Sequence, residues 1–131
     1  MTRRLLTVAA LALAAFGVSA PLAQAAPAPI SFGHEQGKFT GTKDTVCNPI
    51  IGCTYKLEGT LSTAGAAEDC YQVQWTAGTA WGAVNVPPAC GAGEHRVARG
   101  FPWPGARPTA FRLCLVSADG TVRSCGTQQA S

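Results

Sequence analysis

The 131 residues carry a formal charge of +3, but two of the ten basic groups, Arg3 and Arg4, stand ahead of an uncharged run from Leu5 to Val18. That charge-then-hydrophobe order reads as a secretory leader, and the run is shorter than the about 20 residues that span a bilayer, which excludes a comfortable membrane anchor. Removing residues 1–25 leaves 106 residues, one domain's worth, with eight basic against seven acidic groups, and at that balance composition gives no reason to expect nucleic-acid binding.

Ala23-Gln24-Ala25 fits the small-x-small rule for leader cleavage, so the cut is expected after Ala25, with Ala20 or Ala26 as alternatives. The first cysteine is Cys47, too far away to take a lipid at the cut. The expected organisation is therefore a leader over 1–25, an extended N-terminal segment over 26–36 and a single domain over 37–131. The product is expected outside the cell, with no membrane attachment after cleavage. Charge is uneven along the mature chain. Residues 26–94 hold three lysines against six acids, and residues 95–131 hold five arginines against Asp119.

Pro27, Pro29 and Gly33 mark the N-terminal segment as an extended lead-in, free to add a strand to a partner's sheet. Beyond it the chain falls into short alternating runs. Tyr55, Leu57 and Leu61 share one side of 54–63, and Tyr71, Val73 and Trp75 share one side of the next run, the period of a strand with one buried face. Further candidate strands cover 81–86, ended by Pro87-Pro88, then 95–99, 111–117 and 121–125. Asp119-Gly120 between the last two signals a hairpin. No mature stretch shows a capped helical period. Six to seven short strands predict an all-β fold, a small antiparallel β-sandwich or partly open barrel. Its thin core is expected to hold Leu57, Leu61, Tyr71, Val73, Trp75, Val84, Phe111, Leu113 and Leu115.

Cys47, Cys53, Cys70, Cys90, Cys114 and Cys125 all lie in the mature chain. An even count in a short exported sequence reads as a disulfide framework. Zinc is the competing use, but no Cys-x-x-Cys pair occurs. A four-residue loop over 118–121 closes the last hairpin at Ser117 and Val122 and sets Cys114 opposite Cys125 at a non-hydrogen-bonded pair, where Cα atoms approach to about 4.5 Å. Cys47 and Cys53 close a local loop. Cys70 and Cys90 then join across the hairpin near Gly78. The predicted bridges are 47–53, 70–90 and 114–125.

Catalytic groups are sparse. His34 falls in the lead-in. Glu94, His95 and Arg96 carry the groups of a small ribonuclease, but they are adjacent, so alternation sends His95 to the face opposite the other two. The serines sit in no nucleophile elbow, and there is no phosphate loop, metal-ligand motif or calcium loop. No metal or cofactor is expected.

Recognition surfaces are better supplied. Phe101-Pro102-Trp103-Pro104 is a stiff loop that holds Trp103 either outward or against the sandwich end, and Arg99 and Arg107 flank it and frame an acidic partner surface. The Cys47–Cys53 loop carries Ile50 and Ile51, either as a presented pair or with one packed inward. Trp75, Trp81 and Tyr71 are the candidates for a sugar-stacking platform.

In its Ala-, Gly-, Pro- and Arg-rich style the mature chain resembles small secreted disulfide-rich β proteins of high-GC Gram-positive bacteria. These include secreted inhibitors of subtilisin, metalloproteases and amylase, apo-carriers of the neocarzinostatin kind, and adapter subunits of secreted toxin particles. The resemblance is one of style and carries over no functional residue. The stapled scaffold, the stiff aromatic loop, the extended lead-in and the lack of catalytic groups point to a secreted, non-enzymatic module that binds an extracellular protein, as an accessory or adapter subunit. The alternatives are a hydrolase inhibitor presenting the Cys47–Cys53 loop and, third, a small ribonuclease-like enzyme.

Overall fold

The computed structural model describes residues 26–102 and 105–131; the expected leader and Trp103 lie outside them. In chain order the strands are β1 (Ala28–His34), β2 (Gly37–Asn48), β3 (Gly52–Thr63), β4 (Cys70–Thr76) and β5 (Trp81–Ala83). They continue with β6 (Ala89–Cys90), β7 (Gly93–Pro102), β8 (Ala110–Val116), β9 (Val122–Cys125) and β10 (Gln129–Ala130). They form two antiparallel sheets that face each other without closing into a barrel, one in the order β1-β2-β3-β7, the other built on β10-β8-β4-β5. Among the described residues, ten strands replace the expected six or seven, the additions being β1, β2 and the two-residue β6 and β10.

The 26–36 segment is not a free lead-in. Ile30 and Phe32 alternate with Pro29 and Ser31, and both apolar side chains are buried in the core. The chain then turns through Glu35-Gln36, with Glu35 in the left-handed region at φ 49°, as a two-residue hairpin turn favours. It runs back as β2, pairing from Ala28↔Lys43 to His34↔Gly37. Pro29 is tolerated because β1 is an edge strand.

β2 and β3 pair over their full length, from Gly37↔Thr63 to Asn48↔Gly52. Halfway along, Gly41 faces Gly59, and the ring of Phe39 lies against the space that a Gly59 side chain would fill. Val97 and Phe101 of β7 complete the inner face of this sheet.

In the second sheet, β4 and β8 lie side by side and both faces of β4 are buried. Tyr71 and Val73 join Phe111, Leu113 and Leu115 in the core. The far edge of β4 is completed in two pieces, β5 at Gln74–Thr76 and β6 at Cys70–Tyr71. Between them the Asn85 side chain stands in for a strand. Its Oδ1 accepts the Val73 amide at 2.8 Å and its Nδ2 donates to the Tyr71 carbonyl at 3.1 Å. This is why β5 stops at Ala83 rather than running on to Val86.

The bridges are Cys47–Cys53, Cys70–Cys90 and Cys114–Cys125, the pairing expected from the sequence. Each joins residues directly opposite one another in a ladder. The last hairpin reaches its register by a different route from the expected four-residue loop. Ser117 donates to the Thr121 carbonyl and Gly120, at φ 85°, donates to Ser117, so the loop has three residues with a left-handed glycine at its end. Arg123 then bulges out between the Val116↔Val122 and Leu115↔Ser124 pairs, which restores Cys114 opposite Cys125.

A Cβ on Gly59 would lie 2.4 Å from the Thr40 carbonyl and 2.7 Å from the Phe39 ring, whereas nothing lies within 4 Å of one on Gly78. Gly59→Ala is expected to lower unfolding free energy by about 1–3 kcal/mol, the usual cost of overpacking. Gly78→Ala should stay within about 0.5 kcal/mol of the parent. Urea denaturation of the two variants beside the parent measures both.

Candidate functional site

The β2–β3 hairpin ends in a three-residue turn, Pro49-Ile50-Ile51, held from four directions. Proline fixes φ at its start. The Asn48 Oδ1 accepts the amides of Ile50 at 2.8 Å and Ile51 at 3.3 Å, an Asx-type turn. Gly52 leaves the turn in the left-handed region at φ 88°, where glycine is favoured. The Cys47–Cys53 bridge clamps the pair just beneath. Both isoleucines point into solvent, at 89% and 80% exposure, the two most exposed large hydrophobics among the described residues. Neither packs inward.

Behind this tip lies a cleft of about 220 Å³ whose lining includes Lys43, Asp44, Tyr55 and Arg107. Tyr55 faces Thr45 across the ladder, two residues from Cys53, and is 5% exposed. Its hydroxyl is buried without a hydrogen-bond partner. Burial pushes the phenol above its ordinary range, and the positive charge of Arg107 pulls the other way. Tyr55 therefore keeps its proton at neutral pH and remains a donor.

The other sequence candidates divide. Phe101 is 1% exposed, with its ring 4.8 Å from that of Trp75 and 6.2 Å from that of Tyr55; it is a core residue and leaves the candidate surface. Its place in the alternation of β7 turns it inward, despite the prolines that follow. Arg99 also works within the fold. Its Nη1 donates to the Ala83 carbonyl on β5, and its guanidinium sits 5.4 Å from the Phe101 ring and 5.9 Å from the Trp75 ring. It clasps the edges of the two sheets. Arg107 lines the cleft. Pro102 pairs with Thr54, so β7 finishes at the same end of the sandwich as the tip; Trp103 lies outside the described residues.

The three aromatics proposed as a sugar platform are not one surface. Tyr71 is buried, Trp75 packs against the core, and Trp81 sits under the Arg112 guanidinium, 4.0 Å from its ring centroid, on the outer face. There Arg112 donates twice to the Gln74 Oε1, at 3.1 and 2.9 Å. Gln74 donates to Gln72 at 3.2 Å, and Gln72 donates to the Asn85 carbonyl at 3.3 Å. Burial lowers the pKa of Arg112. This chain of mutually satisfied groups is what lets β4 bury Gln72 and Gln74.

Sequence reasoning left His34 and Ser124 apart, but the fold joins them. His34 Nε2 is 2.8 Å from Ser124 Oγ, and that hydroxyl donates to the Glu35 Oε1 at 3.1 Å. With its proton committed to Glu35, Ser124 accepts from Nε2–H. Glu35 approaches Nε2, at 3.5 Å, rather than orienting the ring from Nδ1 as a catalytic triad requires. The cluster links the β1–β2 turn to β9 across the two sheets. In β7, His95 pairs with Leu61 and points inward while Glu94 and Arg96 are exposed, so the ribonuclease-like set does not converge.

Comparison with protein-family models, characterised proteins and solved structures finds no match for this chain.

As residues of the site, Asn48 and Tyr55 escaped the sequence reading, which placed Tyr55 only on the buried side of its strand. The Asn-Pro pair after Cys47, a turn-initiating dipeptide, was the available signal for Asn48. Asn48→Ala is expected to leave the fold intact but release the Ile50 and Ile51 amides. At about 1 kcal/mol per hydrogen bond, their hydrogen exchange should quicken about fivefold, with Tyr71 and Leu113 amides unchanged, as read by NMR.

Proposed function

We propose that the protein is an extracellular, non-enzymatic module that docks on another protein through the clamped tip of the β2–β3 hairpin, as an accessory or adapter subunit of a secreted complex. The observation that carries this reading is the adjacent, almost fully exposed pair Ile50 and Ile51 on a turn fixed at four points. Apolar side chains placed in water at the end of a rigid support suit an interface, because little conformational freedom remains to be lost on binding. Three disulfides in so small a domain are compatible with an oxidising, extracellular location.

The occupant that fits is a protein surface with an apolar pocket beside acidic groups, since Lys43 and Arg107 stand behind the tip. The inhibitor reading ranks second. A substrate-like inhibitor offers an extended backbone to its protease, whereas both Ile50 and Ile51 have their amides turned back onto Asn48.

The test compares immobilised parent protein with the Ile50→Ser, Ile51→Ser double variant in native culture fluid. The expected result is a stoichiometric partner retained by the parent and bound at least about 30-fold more weakly by the variant, as loss of a hot spot of about 2 kcal/mol requires. Circular dichroism and melting temperature should not differ between the two. A partner held equally by both, or no protein that distinguishes them, removes the tip as the docking site.

A further inference from the structure

We propose that the open edge of β2 beside the tip accepts an extended segment of the docking partner, which joins the sheet as an added strand in line with β1. That the segment comes from the docking partner rests on the reading above; the open edge stands on the strand pairing alone.

β2 outruns its neighbour on one side. It extends from Gly37 to Asn48, whereas β1 pairs with it only as far as Ala28↔Lys43. Among the described residues no strand flanks 44–48 on that side, a stretch of about 17 Å at strand rise. The hairpin sets the direction of the backbone groups there. The two-residue turn at Glu35-Gln36 makes His34↔Gly37 a hydrogen-bonded pair. Bonded pairs recur at every second residue, so Lys43 bonds to Ala28, and Thr45 and Cys47 turn their N–H and C=O groups to the open side. The other ladder agrees. Ala64 donates to the Gln36 carbonyl, which assigns the even-numbered residues of β2 to β3. Cys47 meets Cys53 at a Cα separation of 3.9 Å, the close spacing of a non-bonded pair. Two donors and two acceptors are therefore left unpaired within the sheet.

This edge is also unguarded. The run Asp44-Thr45-Val46-Cys47-Asn48 holds no proline and no lysine, whereas β1 carries Pro29, and it is proline and lysine that keep sheet edges from pairing. Thr45 and Val46 favour an extended backbone, and the Cys47–Cys53 bridge holds the run in place before anything binds. It ends at the turn that lifts Ile50 and Ile51 into solvent, so one incoming segment can pair with Cys47 and lie against the isoleucines.

An added strand takes affinity from main-chain bonds and specificity from alternate side chains. The residues opposite Thr45 and Cys47 cannot be proline, because each must donate an N–H. The residue opposite Val46 falls in a close non-bonded pair and suits a branched apolar side chain. A second copy of this chain does not fit. Setting its Cys47 opposite Thr45 puts its Pro49 opposite Lys43, a place that Ala28 already holds.

The test begins with amide hydrogen exchange of the purified protein, read by NMR. Thr45 and Cys47 should exchange at least about tenfold faster than Asp44 and Val46, whose amides bond to β3. Equal protection of all four means that the edge is already filled, by residues ahead of Ala26 or by a second copy, and overturns the proposal. The peptide acetyl-Thr-Val-Thr-Val-Thr-amide is then added as a probe strand. It should shift the Thr45 and Cys47 amides saturably, and the same peptide N-methylated at its central threonine should bind at least about tenfold more weakly, having lost a donor. No saturable shift, or equal binding of the N-methylated peptide, overturns the open edge. Thr45→Pro should keep the fold, because that N–H serves no bond within the sheet and edge strands admit proline. It should weaken both the probe peptide and the protein captured from culture fluid at least about tenfold. If the variant melts early, the two peptides on the parent protein decide. A captured protein lost with Ile50→Ser and Ile51→Ser but held by Thr45→Pro leaves the tip alone as the docking site and overturns strand addition. One lost with Thr45→Pro but held by the isoleucine variant supports strand addition and removes the tip.

Discussion

The ring of Phe111 ties the two sheets together. It projects from β8 and meets Phe32 at 6.4 Å, Tyr55 at 6.0 Å and Phe101 at 6.2 Å, one ring from each of three strands in the facing sheet. Such pairs contribute about 0.5–1.5 kcal/mol each beyond the area they bury, a large fraction of the net stability of a domain this small. The cluster also fixes the candidate site. Tyr55, which lines the cleft, is held by Phe101 and Phe111, so the phenol is positioned by core packing rather than by a hydrogen bond of its own.

The three disulfides share a geometry but not a task. Cys70 and Cys114 are buried and, with Val116 and Cys125, form a second small apolar cluster on the outer face of β4 and β8. There they help cover the strand whose polar side chains, Gln72, Gln74 and Thr76, are almost wholly removed from water. The bridge at the tip belongs to no buried cluster. By the chain-entropy relation, its separation of six residues is worth about 2 kcal/mol, against about 3 kcal/mol for the separation of 20 between Cys70 and Cys90.

How far the sequence could be read depended on whether a strand's inner face advertises itself. β3, β4 and β8 carry Leu57 and Leu61, Tyr71 and Val73, and Phe111 and Leu113 at alternate positions, and their strands and core residues were legible. The cysteine registers followed because each bridge joins direct partners across a ladder. β2 was hidden because Gly37 and Gly41 occupy inward positions, where the Tyr71 ring takes the space beside the first and the Glu58–Gly59 backbone of β3 that beside the second. β1 was hidden by its prolines, which an edge strand tolerates. In β7 the inward series is His95, Val97, Arg99 and Phe101, and two polar members disguised it. Arg99 can face inward because it lies at the sheet edge, with an aliphatic stem over the rings and a head that reaches the Ala83 carbonyl. The cleft was illegible because Lys43, Tyr55 and Arg107 come from separate segments joined only by the fold.

The tip runs against the economy of the rest of the molecule. Elsewhere the exposed edges are guarded: β7 sets Glu94 and Arg96 along its length and β1 carries Pro29, the usual means by which sheets avoid pairing with one another. At the tip, two branched apolar residues are left in water, an arrangement that invites association. A purely stabilising role does not account for it, because Ile50 and Ile51 are 89% and 80% exposed and so bury almost nothing. The proline, the Asn48 cap, the left-handed Gly52 and the disulfide constrain the shape of the turn instead of adding to the core. Departures from otherwise consistent design are where function is expected. Here the departure is local and rigid, and it sits directly beside a cleft whose buried hydroxyl also lacks a partner.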